Sequence, residues 1–392
     1  MTDTASNTPT GLTIFRGLLR YDFVRALAAG DHAQADWLLC RRLTTHPTKQ
    51  TTPANLLLEL LLTEENYFAC TAAQSAALPQ PLLDAAAAEI AVLQSWLAAH
   101  PTLPWLPDTG HTPAADLDGW HTMPPAEAAA HLAEFHRQKG FGQLCLHRVW
   151  RWDGALRPIT QPDPITLDDL VGCQHQKDML LANTRLFVDQ RRGNNLLLYG
   201  ARGTGKSSMV KAIANELAAD GLCLLELTVD HICDLPEIIT LLQAQPRPYI
   251  IFIDDLSFET AGQSYKTTKA VLEGSVAALG SNTLIYATSN RRHLIVENWH
   301  DRDGVEHKNG EVRASDSMSE KFSLADRFGQ TILFTTPNQE EYLRIVSTLA
   351  AASGIDLPAD ELRTRALQWA MWQNGCSGRT ARQFINSLPI KE

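Results

Sequence analysis

One stretch of this chain constrains its fold more than any other: LLLYGARGTGKSSM, residues 196–209. Gly200, Gly205, Lys206 and Ser207 stand in the spacing G-x-x-x-x-G-K-S, with Gly203 inside it. An apolar run precedes the glycines, and an amphipathic helical pattern follows them. Glycines let such a loop turn tightly and present backbone N–H groups to phosphate oxygens, and a helix opening at Lys206 adds the positive end of its dipole. The loop therefore demands a strand to feed it and a helix to leave it. Lys206 is placed to reach the β- and γ-phosphates of a nucleotide and Ser207 to ligate Mg2+. Ala201, Arg202, Thr204 and Ser208 complete the cradle. The spacing alone recurs by chance; the strand before it and the helix after it give it meaning.

A second stretch, IIFIDDLSFE (250–259), ends a hydrophobic strand in two acids. At the carboxyl end of a parallel strand Asp254 faces the crevice where ligands bind. There it is suited to hold the water shell of Mg2+. Asp255 would stand beside an attacking water, and a general base must come within ~3 Å of the proton that it takes. Aspartate is one methylene shorter than glutamate, so its reach is poorer. Glu259, four residues on, is the alternative base.

Around these motifs the chain divides. Residues 1–140 read as a mainly helical domain, with apolar residues near a 3.6-residue period over 12–27, a stop at Gly30, and an alanine-rich helix before Pro101. Six prolines between 101 and 125 mark an irregular connector, and a helix is expected from 126 to 139. Residues 141–165 read as two short strands about Asp153-Gly154 and a linker. From 166 to 336 strands alternate with helices. Strands are expected at 195–199, 222–229, 249–254, 283–288 and 330–334, and helices at 174–188, 206–219, 232–243 and 266–278. Such alternation predicts an α/β domain with a doubly wound parallel sheet. Residues 337–392, with a helix over 339–352, read as a small helical lid.

Composition excludes some classes. The net charge is −10, and neither half of the chain has a basic excess. Nonspecific nucleic-acid binders carry a basic footprint, so nucleic acid is not indicated as a partner. Seven cysteines without a C-x-x-C pair predict free thiols in a reducing cytoplasm rather than a disulfide framework or a zinc site. The first residues lack a basic segment followed by an apolar one, so no signal peptide is expected. The longest apolar stretch, LLLELLL (56–62), is far short of the ~20 residues of a membrane helix, so no membrane role is expected.

The second half of the chain resembles the AAA+ ATPase superfamily. LDDLVG (167–172) is similar to its adenine-pocket segment, which implies Val171 and Gly172 as base contacts. GARGTGKS and IIFIDD resemble its Walker A and Walker B motifs. LIYATSNRR (284–292) resembles the sensor-1 strand, ending in Asn290; LADRFG (324–329) resembles the arginine-finger segment, with Arg327 as the finger; SGRTARQF (377–384) resembles the sensor-2 helix, with Arg382 the sensor and Arg379 the alternative. DDLSFE, SYKTTKAVLEG and YATSNRRHLI are most similar to a bacterial family of ATP-binding proteins without an assigned function, domain of unknown function family 815. The resemblance implies a Mg2+-dependent ATPase that assembles as a homo-oligomer, a ring or hexamer, with Arg327 acting on a neighbour's nucleotide. An Asp-Asp pair at this strand end occurs in the initiator and helicase-loader branches, which implies slow or partner-stimulated turnover. Two alternatives follow: a nucleotide-gated binding module with negligible turnover, and a helicase-loader-like nucleic-acid switch. VDHICDLPEI (229–238) lacks the aromatic and glycine by which threading members grip a chain. The polar segment 297–321 reads as a solvated loop. The N-terminal helices, which hold no catalytic constellation, are assigned by position to recognition of a protein partner.

Overall fold

The computed structural model describes residues 11–45, 52–99, 114, 117–256, 280–290, 328–373 and 375–388. They fall into two compact units, residues 1–147 with 244–247, and residues 148–243 with 248–392.

The first unit is helical. A 3-10 turn, Arg16–Arg20, precedes α1 (Asp22–Ala29), α2 (His32–Thr45), α3 (Pro53–Thr63), α4 (Tyr67–Gln74), α5 (Gln80–Ala99) and α6 (Pro125–Lys139). The sequence predicts one helix across 12–27. The structure breaks it at Tyr21, which is extended, and α1 then ends on Gly30 in the left-handed conformation. Local chemistry sets other starts: Thr52 accepts the Asn55 N–H at the head of α3, where Pro53 has no N–H to lose. The leucines of α3 are buried with Phe15, Phe68, Ile90 and Trp120 in one core. Helix α5 is long and apolar enough to cross a membrane. Within this unit its Glu89 is buried and accepts the N–H groups of Thr13, Ile14 and Phe15 at 2.7–2.9 Å, so one face of this helix anchors the chain before the 3-10 turn.

The second unit is built on a sheet. Its elements are β1 (Val149–Trp152), β2 (Leu156–Pro158), α7 (Gln174–Gln190), β3 (Leu196–Gly200), α8 (Lys206–Glu216), β4 (Cys223–Leu227), a 3-10 turn (Val229–Asp234), α9 (Leu235–Gln243), β5 (Tyr249–Ile253), β6 (Thr283–Ser289) and β7 (Gln330–Phe334). Then come α10 (Gln339–Ala352), α11 (Ala359–Trp372) and α12 (Gly378–Asn386). Among the described residues seven strands run in the order β2-β1-β4-β5-β6-β3-β7, parallel except for the β1–β2 hairpin. Strand β5 is buried along its whole length, as its unbroken apolar run requires. Strand β3, which feeds the glycine loop, lies between β6 and β7, so the loop and the ends of β5 and β6 share one edge of the sheet.

Two expectations are corrected. The hairpin, read apart from the alternating strands and helices of 166–336, joins their sheet: β1 pairs with β4, Trp150 opposite Leu225. It covers an edge that would otherwise expose unpaired N–H and C=O groups. Its strands are also shorter than read, because 142–145 forms a 3-10 turn. The helix expected at 232–243 splits into a 3-10 turn and α9, with Pro236 in the first turn of α9, where a proline is tolerated. The C-terminal helices have a core of their own around Tyr342, Val346, Ala366, Ala381 and Phe384. Asn338 and Glu341 close the start of α10 with a reciprocal capping box. The helix read at 266–278, the loop 297–321, Glu259 and Arg327 lie outside the described residues.

Candidate functional site

A cavity of about 800 Å³ opens at the carboxyl edge of the sheet in the second unit. Its floor is the turn from β3 into α8. Gly200 has φ +144°, and a Cβ there would meet the Phe334 carbonyl oxygen at 2.0 Å, so only glycine fits beside β7. Gly205, at φ +91°, caps α8 and turns the chain so that the helix opens toward the cavity. Thr204 ties the loop back on itself through the Ala201 carbonyl at 2.9 Å. Ala201 thus closes the loop by its main chain, while Arg202, Gly203, Gly205 and Ser208 line the cavity.

Lys206 is buried, and its Nζ donates to the carbonyls of Gly200 at 2.9 Å and Ala201 at 2.8 Å and to Asn290 Oδ1 at 3.3 Å. Burial lowers its pKa; Asp255 and Asp254 act against that shift, and Arg379 and Arg202 add to it. The Ser207 hydroxyl donates to Asp254 Oδ1 at 2.6 Å. Asn290 Nδ2 donates to Asp255 Oδ1 at 2.5 Å. Residues separated by up to 84 positions thus form one cluster beneath the loop: Lys206, Ser207, Asp254, Asp255 and Asn290.

The donor set fits Mg2+ held together with phosphates. Ser207 and Asp254 offer hard oxygens side by side, and no group of three or more His, Cys, Asp or Glu suited to a metal occurs among the described residues. Mg2+ is held in that way in nucleotide sites, by one or two protein oxygens plus phosphates and water. At the other end of the cavity Val171 and Gly172 line the wall, with Gly172 at φ +80°. Beside them the Asp169 carboxylate accepts both the N–H and the hydroxyl of Thr166 and lies near Arg382, and these lower its pKa in that order.

Both arginines of the last helix line the cavity. The Arg379 N–H faces the Gly203 carbonyl at 3.4 Å, and its charge acts on Lys206. The charge of Arg382 acts on Asp169. Arg379 thus lies beside the glycine loop by its main chain, and both arginines stay candidates for the phosphates.

Sequence reasoning missed Thr288. It is buried near the end of β6, its hydroxyl donates to Asp254 Oδ1 at 2.6 Å, and it accepts the Asp255 N–H at 2.9 Å. The signal was available: in a strand, residues two apart share a face, and Thr288 lies two before Asn290.

The glycine loop, the paired acids and the strand order together define a P-loop protein with the fold of the AAA+ ATPases. The chain belongs to the family described as "Protein of unknown function (DUF815)", whose model matches residues 145–391. Among curated proteins it is similar to a Methanocaldococcus jannaschii protein named as a homolog of a 26S proteasome regulatory subunit, with 26% identity over 188 residues, 46% of this chain and 45% of that protein. It is also similar to the ORC1-type DNA replication protein 14 of Haloarcula marismortui, with 39% identity over 62 residues, 16% of this chain and 14% of that protein. The chain thus spans less than half the length of these relatives. Among solved structures, the Thermotoga maritima RuvB Holliday junction branch migration motor aligns at 16% identity and TM-score 0.34, over 58% of this chain and 73% of that one. DnaA from Aquifex aeolicus aligns at 13% identity and TM-score 0.39, over 58% and 65%.

Proposed function

We propose that the protein binds ATP with Mg2+ and hydrolyses it slowly, using the cycle to change the shape it presents to a protein partner. The hydrogen-bonded cluster of Lys206, Ser207, Asp254, Asp255 and Asn290 beneath the glycine loop carries this reading. Lys206 and the loop N–H groups hold the phosphates, with Arg379 on the same side. Ser207 and Asp254 hold the cation, which when bound neutralises charge building on the phosphates. Asp255 takes the proton of the attacking water, and Asn290 orients that water. Val171 and Gly172 receive the base. Arg327 is proposed to complete a neighbour's site in a homo-oligomer, and the N-terminal helices to recognise the partner. Slow turnover follows from Asp255: its carboxylate is short, and one oxygen is already bonded to Asn290. That bond equally favours a second reading, a nucleotide-gated binding module with negligible turnover. Steady-state ATP turnover with nucleotide affinity, in wild type and Asp255→Asn, separates the two. Measurable turnover lost in the variant with affinity retained supports the enzyme; tight binding with no turnover in either supports the module; no binding sinks both.

A further inference from the structure

We propose that Thr288 is a positioning residue that sets both strand-end acids, Asp254 toward the cation and Asp255 toward the water, through one hydroxyl. This rests on the reading of the site as a Mg2+–nucleotide site. The proton count fixes the arrangement. The Thr288 oxygen accepts the Asp255 N–H at 2.9 Å, so its single proton goes to Asp254 Oδ1 at 2.6 Å. Ser207 donates its own proton to the same oxygen at 2.6 Å. Two hydroxyls thus engage Oδ1 and leave Oδ2 for the water shell of a cation. Because Ser207 gives away its proton, the lone pairs of its oxygen are free to ligate.

The second half of the arrangement acts on Asp255. Its backbone sits at φ +53°, a left-handed conformation that is uncommon outside glycine. The Thr288 hydroxyl captures the N–H of that residue, and the Thr288 carbonyl accepts the next N–H, from Leu256, at 2.7 Å. Strand β6 thereby grips the turn after β5 at two points. The captured turn is the one that delivers the Asp255 carboxylate to Asn290. Thr288 is 1% exposed, so solvent has no room to replace its hydroxyl. A residue without that hydroxyl would leave the Asp255 N–H and a carboxylate oxygen of Asp254 each one bond short.

The test uses the full chain as wild type, Thr288→Val, which keeps the shape, and Thr288→Ser, which keeps the oxygen. Binding of a fluorescent ATP analogue is measured with Mg2+ and with EDTA, alongside turnover and the melting temperature. In Thr288→Val we expect metal-free binding like wild type, loss of most of the tightening that Mg2+ adds, and kcat lower by at least about tenfold with KM within about threefold. Thr288→Ser should keep the Mg2+ increment and the turnover. Wild-type Mg2+ tightening and kcat in Thr288→Val would overturn the proposal. So would equal losses of metal-free and metal-bound affinity with a fall in melting temperature, which would assign Thr288 to the fold alone. Should Thr288→Val not fold, Thr288→Ser decides: a lost Mg2+ increment in it overturns the proposal, and a retained one supports it. A wild type that binds but does not turn over sinks the hydrolysis reading only, because the Mg2+ increments still decide the role of Thr288.

Discussion

At Asp255 the backbone itself selects the side chain. The left-handed region costs most L-residues about 1–2 kcal/mol, and aspartate and asparagine visit it more readily than longer side chains. The aspartate in place of glutamate is therefore a consequence of the turn that Thr288 holds, and a longer acid need not work better. Asp255→Asn preserves the turn and the nucleotide contacts but cannot take a proton. Turnover should fall by about a hundredfold or more with binding retained. Asp255→Glu should be no faster than wild type, since it strains the turn and breaks the bond to Asn290; a faster enzyme would show that reach, not backbone, limits the base. The two arginines of α12 divide in the same local way. Arg379→Ala should weaken ATP binding about tenfold and Arg382→Ala by less, read by titration with ATP and ADP; the reverse order would return the sensor role to Arg382. Lys206, Ser207 and Asp254 were legible in the sequence because a phosphate loop and its acid tolerate few spacings. The face that Thr288 shares with Asn290 was legible too, but its two acid partners and the Arg379 geometry were not, because each depends on which strand or loop lies opposite.

At the scale of elements, burial shifts Glu64 and His136 of the helical unit in opposite senses. The Glu64 carboxyl, 4% exposed, packs against Gly17 in the N-terminal 3-10 turn. Burial raises its pKa to about 7, Arg20 opposing and Glu89 assisting. His136, in α6, is buried with Nδ1–H donating to the Gly140 carbonyl at 2.8 Å, and burial lowers its pKa to about 4. The folded unit binds the Glu64 proton more tightly than the unfolded chain does. That contribution is whole below pH 4.5 and is lost as pH rises to about 7. The unfolded chain binds the His136 proton more tightly, so that contribution is whole above pH 6.5 and is lost as pH falls to about 4. Each amounts to about 3 kcal/mol, and over the shared window they oppose each other. His147, whose pKa burial also lowers, acts in the same sense as His136, so wild-type melting temperature should rise less steeply between pH 5 and 6.5 than it would without Glu64. Glu64→Gln should steepen that rise with pH, and an unchanged slope in Glu64→Gln would refute the pairing. None of this was legible in the sequence, because burial of Glu64 and His136 depends on which segments pack over them. The helical character of the unit was legible, since apolar periodicity and the stop at Gly30 are local, while the break at Tyr21 was not. The hairpin was misplaced because its partner, β4, lies some seventy-five residues away: Trp150 pairs with Leu225.

For the whole molecule, the open question is whether one chain makes a complete site. In the proposed reading the described residues supply a cradle for phosphates, oxygens for a cation and an acid for water. Charge developing on the transferred phosphoryl group in the transition state calls for a further cation. Arg379 and Arg202 stand in the same cavity, but both are anchored to their own protomer and act on the ground state as well. A trans-acting arginine adds stabilisation that appears only on assembly and raises kcat rather than affinity. Arg327, the residue proposed for that role, is tested most directly by mixing two inactive variants. Lys206→Ala lacks a working cradle but keeps Arg327; Arg327→Ala keeps the cradle but lacks the finger. Each alone should be inactive or nearly so. In an equal mixture of freely exchanging subunits in a closed ring, a site needs an intact cradle and an intact neighbour. About a quarter of the sites then recover, and activity should return to about a quarter of wild type. Complementation of two dead proteins requires that each supply what the other lacks across an interface. A mixture that exchanges subunits, shown by energy transfer between labelled chains, yet stays inactive would show that Arg327 does not act on a neighbour's site. In that event wild-type turnover per subunit should also be independent of protein concentration, whereas a site shared between neighbours gains activity as the chains assemble.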